Sequence, residues 1–168
     1  KKPTAEEAAQ DFLVRIKKEV PKPGVIGVFN RSHYEDIIVP AVWGTHTAET
    51  VEARYARINA FELELAKQGV KVVKIFLHVS KDVQRARLQA RIDRPEKNWK
   101  FNARDVRERA HWEEYQQHWS AAIAATSTPH APWFVVPADR KWVTRLVVAE
   151  AIVAGLEELE LDFPKLDA

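Results

Sequence analysis

Three short segments gather side chains of the types that phosphate chemistry uses. Asn30-Arg31-Ser32-His33-Tyr34-Glu35-Asp36 sets an amide, a guanidinium, a hydroxyl, an imidazole and two carboxylates close together. An Arg there offers a planar fork for phosphoryl oxygens, and an Asn or Asp can orient hydrated magnesium. The plainer alternative is a capped loop with surface charges. Ser80-Lys81-Asp82 opens a second segment bearing Arg85, Arg87 and Arg91, and the basic run continues through Arg94, Lys97, Lys100, Arg104, Arg107 and Arg109. Asp93, Glu96, Asp105 and Glu108 offset part of that charge, as they would on an ordinary pair of salt-bridged helices. Pro95 nevertheless puts several cations between two helices, beside Trp99 and Phe101, and a movable basic lid over phosphates is built this way. The third segment is Pro137-Ala138-Asp139-Arg140-Lys141-Trp142. It reads either as a helix start, with Asp139 at the cap and Trp142 in the core, or as a loop whose aromatic or Arg face stacks on a base.

Other chemistries find little support. His111 and His118 are seven apart, and Glu114 shares a helix face with His118, but no HExxH spacing exists. Trp112, Tyr115 and Trp119 read as packing residues. No G-x-S-x-G elbow is present. The chain has no cysteine, which removes disulfides, thiolate nucleophiles and Cys-based zinc sites.

These segments must be placed by a scaffold of alternating helices and strands. Thr4 with Glu7 forms a capping box, and Ala9, Phe12, Leu13, Ile16 and Val20 follow at helical spacing until Pro21 and Pro23-Gly24. Val25-Ile26-Gly27-Val28-Phe29 is an apolar run with the character of a buried parallel strand. Thr47 caps a long helix with Val51, Tyr55, Ile58, Phe61 and Leu65 inward, and Gly69 sits where a left-handed C-terminal residue belongs. Val72–Leu77 reads as a second strand, and Ser80 as the cap of a helix running through Val83 and Leu88 to about Ile92. Asn102, with Asp105 at N3, restarts a long helix expected to reach about Ala125. Trp133–Val136 is a third strand, and a last helix carries Trp142, Leu146, Ala149, Val153 and Leu156 on one face. Strands alternating with helices predict βαβ units and a parallel sheet, whose ligands bind beyond the carboxyl ends of the strands.

Composition agrees with a globular domain. Of 168 residues, 46% are hydrophobic and 30% charged, and 26 Lys and Arg stand against 24 acids for a net charge of +2. That balance excludes a polybasic tail protein, and no apolar run is long enough to span a membrane. The first residues lack the apolar stretch of a secretory signal. A cytoplasmic α/β domain is expected. Three strands are few for an open sheet, so the expectation is a doubly wound domain without its first unit.

Together the segments resemble one family. Gly27-Val28-Phe29-Asn30-Arg31-Ser32-His33-Tyr34-Glu35-Asp36 is similar to the second nucleotide-binding motif of the polyphosphate kinase 2 family. Asp93-Arg94-Pro95-Glu96-Lys97-Asn98-Trp99-Lys100-Phe101 resembles its lid. Thr126–Trp133 and Val135–Trp142 resemble its last strand and following loop. The likeness covers nearly the whole chain, in order.

The resemblance implies a three-layer, doubly wound parallel sheet of the P-loop, thymidylate kinase-like type, as a single domain over residues 1–168, with a helical basic lid at about 91–110. It implies phosphoryl transfer between inorganic polyphosphate and a nucleoside mono- or diphosphate, of adenine or guanine, with Mg2+ and with neither nucleic acid nor membrane as partner. A homo-oligomer remains open. By position, Asn30 holds the Walker B place near the metal, acting through water or a hydrogen bond, and Arg31 contacts the transferring phosphates. Arg91, Lys97 and Lys100 supply lid cations, Lys2 is a further phosphate ligand, and Asp139, Arg140 and Lys141 serve the nucleotide. The family's first strand and Walker A loop are expected to precede Pro3-Thr4, so the chain as it stands could be inactive. Ala41 and Trp43 stand where relatives often carry Arg and His, which leaves mono- or diphosphate preference open. Two rival readings are a polyphosphate- or nucleotide-binding module without turnover, and an ATP-dependent nucleoside monophosphate kinase.

Overall fold

The computed structural model describes Glu6 and residues 10–163. The capping box at Thr4 and Glu7, together with Ala9 and Lys2, lies outside the described residues. In chain order the elements are α1 (Val14–Lys18), α2 (Glu35–Val42), α3 (Ala48–Lys67), β1 (Lys74–His78), α4 (Lys81–Asp93), a 3₁₀ helix (Pro95–Lys100), α5 (Ala103–Ala110), α6 (Trp112–Thr126), β2 (Trp133–Pro137) and α7 (Lys141–Glu157). They group into two compact units, one of residues 1–61 and 113–126, the other of 62–112 and 127–168. Among the described residues no helix is long and apolar enough to cross a membrane.

The first unit is helical. Leu13, Tyr34, Ile37, Ile38, Tyr55, Ile58, Phe61 and Ala122 form its core, each under 9% exposed. The expected α3 face is recovered in Tyr55, Ile58 and Phe61, with Val51 and Leu65 half-buried. Thr47 Oγ1 accepts from Thr50 N–H at 3.3 Å and so starts that helix. The rim is held by cations over rings, with Arg54 4.6 Å and Arg57 5.4 Å from the Phe12 centroid. Asn59 Nδ2 also donates to the Ala125 carbonyl at 3.0 Å.

The second unit is built on a parallel pair, β1 beside β2, in register from Lys74 opposite Trp133 to His78 opposite Pro137. Gly69 ends α3 at φ +79°, as its position predicts. Helix α7 packs against this unit through its small residues, Ala151 and Gly155, both buried. A Cβ added at Gly155 would come within 2.9 Å of Val73 Cγ2, so this close approach requires glycine.

Four expectations are corrected. Val25–Phe29 is not a strand: it pairs with no neighbour among the described residues, and Val25, Ile26 and Val28 are 59%, 70% and 88% exposed. A strand exists only through its partner's hydrogen bonds, so an apolar run alone cannot make one. The sheet therefore has two strands here, and their outer faces are open at Leu77 and Val135. The helix expected from Asn102 to Ala125 is broken at His111, whose φ of −93° and ψ of 29° end α5 before α6 begins. Helix α7 faces its unit with Val147, Val148, Ala151 and Gly155, leaving Trp142, Leu146 and Val153 more than half exposed. That helix is apolar nearly all round, and close packing selected the stripe of small residues over the stripe of large ones.

Lys74 and Glu62 form a buried ion pair at 2.5 Å, with side chains 6% and 1% exposed. Burial pulls the Lys74 ammonium below the usual lysine range, while the Glu62 carboxylate pulls it back. Breaking such a pair leaves one charge stranded. Glu62→Gln is expected to cost about 3–5 kcal/mol in urea unfolding, and Glu62→Leu with Lys74→Met to recover most of that loss. A single-variant loss below about 1 kcal/mol would show that water reaches the pair.

Candidate functional site

The Asn30–Asp36 segment is a turn anchored by its own middle. Ser32 Oγ accepts from Tyr34 N–H at 3.3 Å, and the Ser32 and His33 carbonyls accept from Glu35 and Asp36 N–H. Such hydroxyl-closed turns need no other scaffold to form. Tyr34, 1% exposed, and Ile37 and Ile38 behind it sink into the first unit's core. The Tyr34 ring lies 6.4 Å from Trp119 and 4.9 Å from His33. His33 and Tyr34 are thereby packing residues, while Asn30 and Arg31 remain exposed.

Arg31 has φ +82°, in the left-handed region that a branched or long side chain enters at a cost. Its side chain is 79% exposed and makes, among the described residues, only a 3.4 Å contact from Nη1 to Glu35 Oε2. The backbone is thus strained while most of the donor fork stays open, and strain of this kind gathers at functional sites.

In the second unit, the basic segment folds as a braced hairpin of helices. Ser80 Oγ caps α4 by accepting from Val83 N–H at 3.3 Å, and Asn102 Oδ1 caps α5 by accepting from Arg104 N–H at 2.9 Å. Both caps were legible in the residue order. Asn98 was not: its Nδ2 donates to the Arg91 and Ile92 carbonyls at 2.7 and 2.8 Å, closing the open end of α4. Arg91 Nη1 donates to Asp105 Oδ2 at 2.6 Å, and Arg109 Nη1 donates to the Lys81 carbonyl and Gln84 Oε1. Arg91 and Arg109 are therefore structural braces as they stand.

Other cations of the segment are not consumed. Arg94, Lys97 and Arg107 make no ion pair or side-chain hydrogen bond among the described residues. Lys100 Nζ rests 4.8 Å from the Trp99 ring centroid, and Trp99 is 79% exposed. The residues between the helices thus form a short 3₁₀ helix with Lys100 and Trp99 exposed and Lys97 half-buried.

The third segment lies at the carboxyl edge of the parallel pair. Asp139 does not cap its own helix: the N-cap of α7 is Arg140, with no side-chain cap bond. Asp139 Oδ1 instead accepts from Ser80 N–H at 2.7 Å. The Ser80 hydrogen bonds, then the Arg87 and His78 charges, hold its carboxyl below the ordinary aspartate range. Arg140, Lys141 and Trp142 are exposed, so Trp142 is not in the core.

The described residues contain no group of three or more His, Cys, Asp or Glu able to hold a metal.

Comparison with known proteins agrees with these motifs. Residues 1–164 match the family described as polyphosphate kinase 2. The chain belongs to the polyphosphate kinase 2 family. It is 44% identical over 163 residues to an AMP/ADP-polyphosphate phosphotransferase of Meiothermus ruber, covering 97% of this chain and 61% of that protein. It is 40% identical to an ADP-polyphosphate phosphotransferase of Rhodopseudomonas palustris, covering 98% and 61%. The crystal structure of polyphosphate kinase 2 from Arthrobacter aurescens TC1 superposes with a TM-score of 0.98 at 48% identity, over 100% of this chain and 59% of that one. The chain thus spans about three fifths of the length of these relatives.

The strain at Arg31 yields a direct test. Arg31→Gly removes the left-handed penalty, whereas Arg31→Ala keeps it, so the glycine variant should be more stable by about 1 kcal/mol. Thermal unfolding of the two variants measures this, and equal melting temperatures would mean that the turn relaxes in Arg31→Ala.

Proposed function

We propose that this protein moves a phosphoryl group between inorganic polyphosphate and a nucleoside mono- or diphosphate. The observation that carries the reading is an exposed, little-engaged guanidinium on a strained turn, Arg31, in a chain whose residues 1–164 match the family. Relatives named as polyphosphate phosphotransferases acting on AMP or ADP support the same reaction class.

Phosphoryl transfer needs positioning and charge neutralisation more than covalent help from the protein. In this reading Arg31 clamps equatorial oxygens of the transferring group by its planar fork. Lys97 and Lys100 attract the polyphosphate chain, and Arg91 holds the lid's shape through Asp105 while its remaining N–H groups face phosphate. Lys2 adds a further cation. Arg140 and Lys141 serve the nucleotide, with Asp139 immediately before them. The lid is taken as residues 91–110 of a single domain over 1–168, and the finer architecture as a three-layer, doubly wound sheet of the thymidylate kinase-like type.

Mg2+ belongs to the proposal. It is usually held by one or two protein oxygens with phosphates and water completing its shell. The exposed amide of Asn30 suits contact through water, and no larger protein cage is required. When bound, the ion neutralises phosphate charge. A cytoplasmic setting, where nucleotides are held, goes with this reading.

Arg31→Ala should lower turnover on the order of a hundredfold, the scale of losing one electrostatic donor to the transition state. Arg31→Lys should also be poor, since a point charge does not reproduce the fork. Coupled luminescence with polyphosphate and ADP reads both variants, and near-parental turnover at saturating magnesium would remove Arg31 from the site. The same assay with ATP and AMP separates this reading from a nucleoside monophosphate kinase, because robust transfer from ATP and none from polyphosphate would overturn it.

Polyphosphate is a dense line of charge, so its binding should weaken as salt rises, by counterion release. Lys97→Ala with Lys100→Ala should reduce affinity and flatten that dependence. An unchanged slope of log affinity against log salt would put the polymer elsewhere.

A further inference from the structure

The carboxyl edge of the parallel pair carries a network that the roles above leave unused. The backbone just beyond β2 is held at nearly every polar group. Ala138 N–H donates to the His78 carbonyl at 2.8 Å. Arg87, in the second turn of α4, donates from Nη2 to the carbonyls of Ala138 at 2.7 Å and Asp139 at 3.1 Å. Asp139 Oδ1 takes the Ser80 N–H at 2.7 Å, tying the residue after β2 to the residue that caps α4. From α7, whose N-cap Arg140 has no side-chain cap bond, Thr144 Oγ1 lies within donating distance of the Pro137 and Arg140 carbonyls, at 2.9 and 3.0 Å. Immediately beyond the clasp, the exposed Arg140 and Lys141 make no side-chain hydrogen bond or ion pair among the described residues.

We propose that Arg87 and Asp139 are positioning residues for nucleotide recognition, fixing residues 138–139 on α4 so that Arg140 and Lys141 meet the nucleotide from one backbone setting. The inference rests on the phosphotransfer reading and adds to it which residues hold the nucleotide loop. It also gives Asp139 the role of a brace, because its Oδ1 accepts the Ser80 N–H, where the family resemblance made it a nucleotide contact. The choice of Arg at position 87 follows from its task. One nitrogen of a rigid guanidinium reaches two successive carbonyls, and the fork loses less freedom per bond than an ammonium on a flexible stem. Helix α4 also ends at Asp93 and, through Asn98 on the Arg91 and Ile92 carbonyls, carries the 3₁₀ segment with Lys97 and Lys100. A defect at the clasp should therefore reach the nucleotide loop first and the polyphosphate cations little.

The test compares Arg87→Ala, Arg87→Lys, Asp139→Ala and Asp139→Asn with the parent. Asparagine keeps an acceptor oxygen for Ser80 N–H and loses only the charge. ADP affinity is measured by calorimetry, and KM for ADP, KM for polyphosphate and kcat by coupled luminescence. Both alanine variants should bind ADP about tenfold more weakly and raise its KM alike, with KM for polyphosphate within about twofold of the parent. Asp139→Asn should stay within about threefold of the parent for ADP, and Arg87→Lys should fall between parent and alanine. Where an alanine variant melts below the assay temperature, Asp139→Asn and Arg87→Lys carry the comparison. Parent-like ADP affinity in both alanine variants, equal rises in both KM values, or no ADP binding by the parent would each overturn the proposal. In a protein that also carries the family's Walker A loop, ADP binding without transfer refutes the phosphotransfer reading alone, and the calorimetric ratios then decide this one.

Discussion

Parallel pairing of Lys74–His78 with Trp133–Pro137 is the constraint on which the second unit depends. Two parallel strands leave the sheet on the same edge, and the chain must make a long excursion before it can return. Both strand exits, at Ser80 and at Ala138-Asp139, therefore stand side by side, where ligands of open α/β sheets bind. The Ser80–Asp139 hydrogen bond is possible only because of that juxtaposition. The excursion supplies α4 and α5, and with them the basic hairpin.

Charge in the hairpin is sorted rather than summed. Asp105 and Glu108 engage Arg91 and Arg104, and Arg109 spends its donors on Lys81 and Gln84. Such exposed pairs contribute little stability one by one, but they settle which cations stay free. Among the described residues Arg94, Lys97 and Arg107 are left without anionic partners, and Lys100 lies against an aromatic face. Those cations have no ion pairs of their own to break before meeting an anion.

Caps and turns were legible because their chemistry is local. Thr47, Ser80 and Asn102 each satisfy amide groups two or three residues away, and Gly69 adopts the positive φ that its place after α3 requires. The family's motifs were legible for a related reason: runs such as Asn30-Arg31-Ser32-His33-Tyr34-Glu35-Asp36 constrain residue type at every position. The division of labour inside that run was not. Nothing in the order of residues says that His33 and Tyr34 turn into packing while Arg31 stays outside on a left-handed backbone.

Local patterns thus determined the starts of α3, α4 and α5, the two strands that found each other, the α/β class and the family. Tertiary structure decided what depends on a partner distant in the chain. Val25–Phe29 has strand composition but no paired neighbour among the described residues, so composition did not suffice. Helix α7 offered two apolar stripes, and Val73 selected the one bearing Gly155 by allowing no Cβ there. Arg87 looked like one more surface cation until the return of β2 brought two carbonyls within its reach. Hydrogen bonds to neighbours in sequence are specified by residue order alone, whereas those between residues 87 and 139 exist only after the strands have paired.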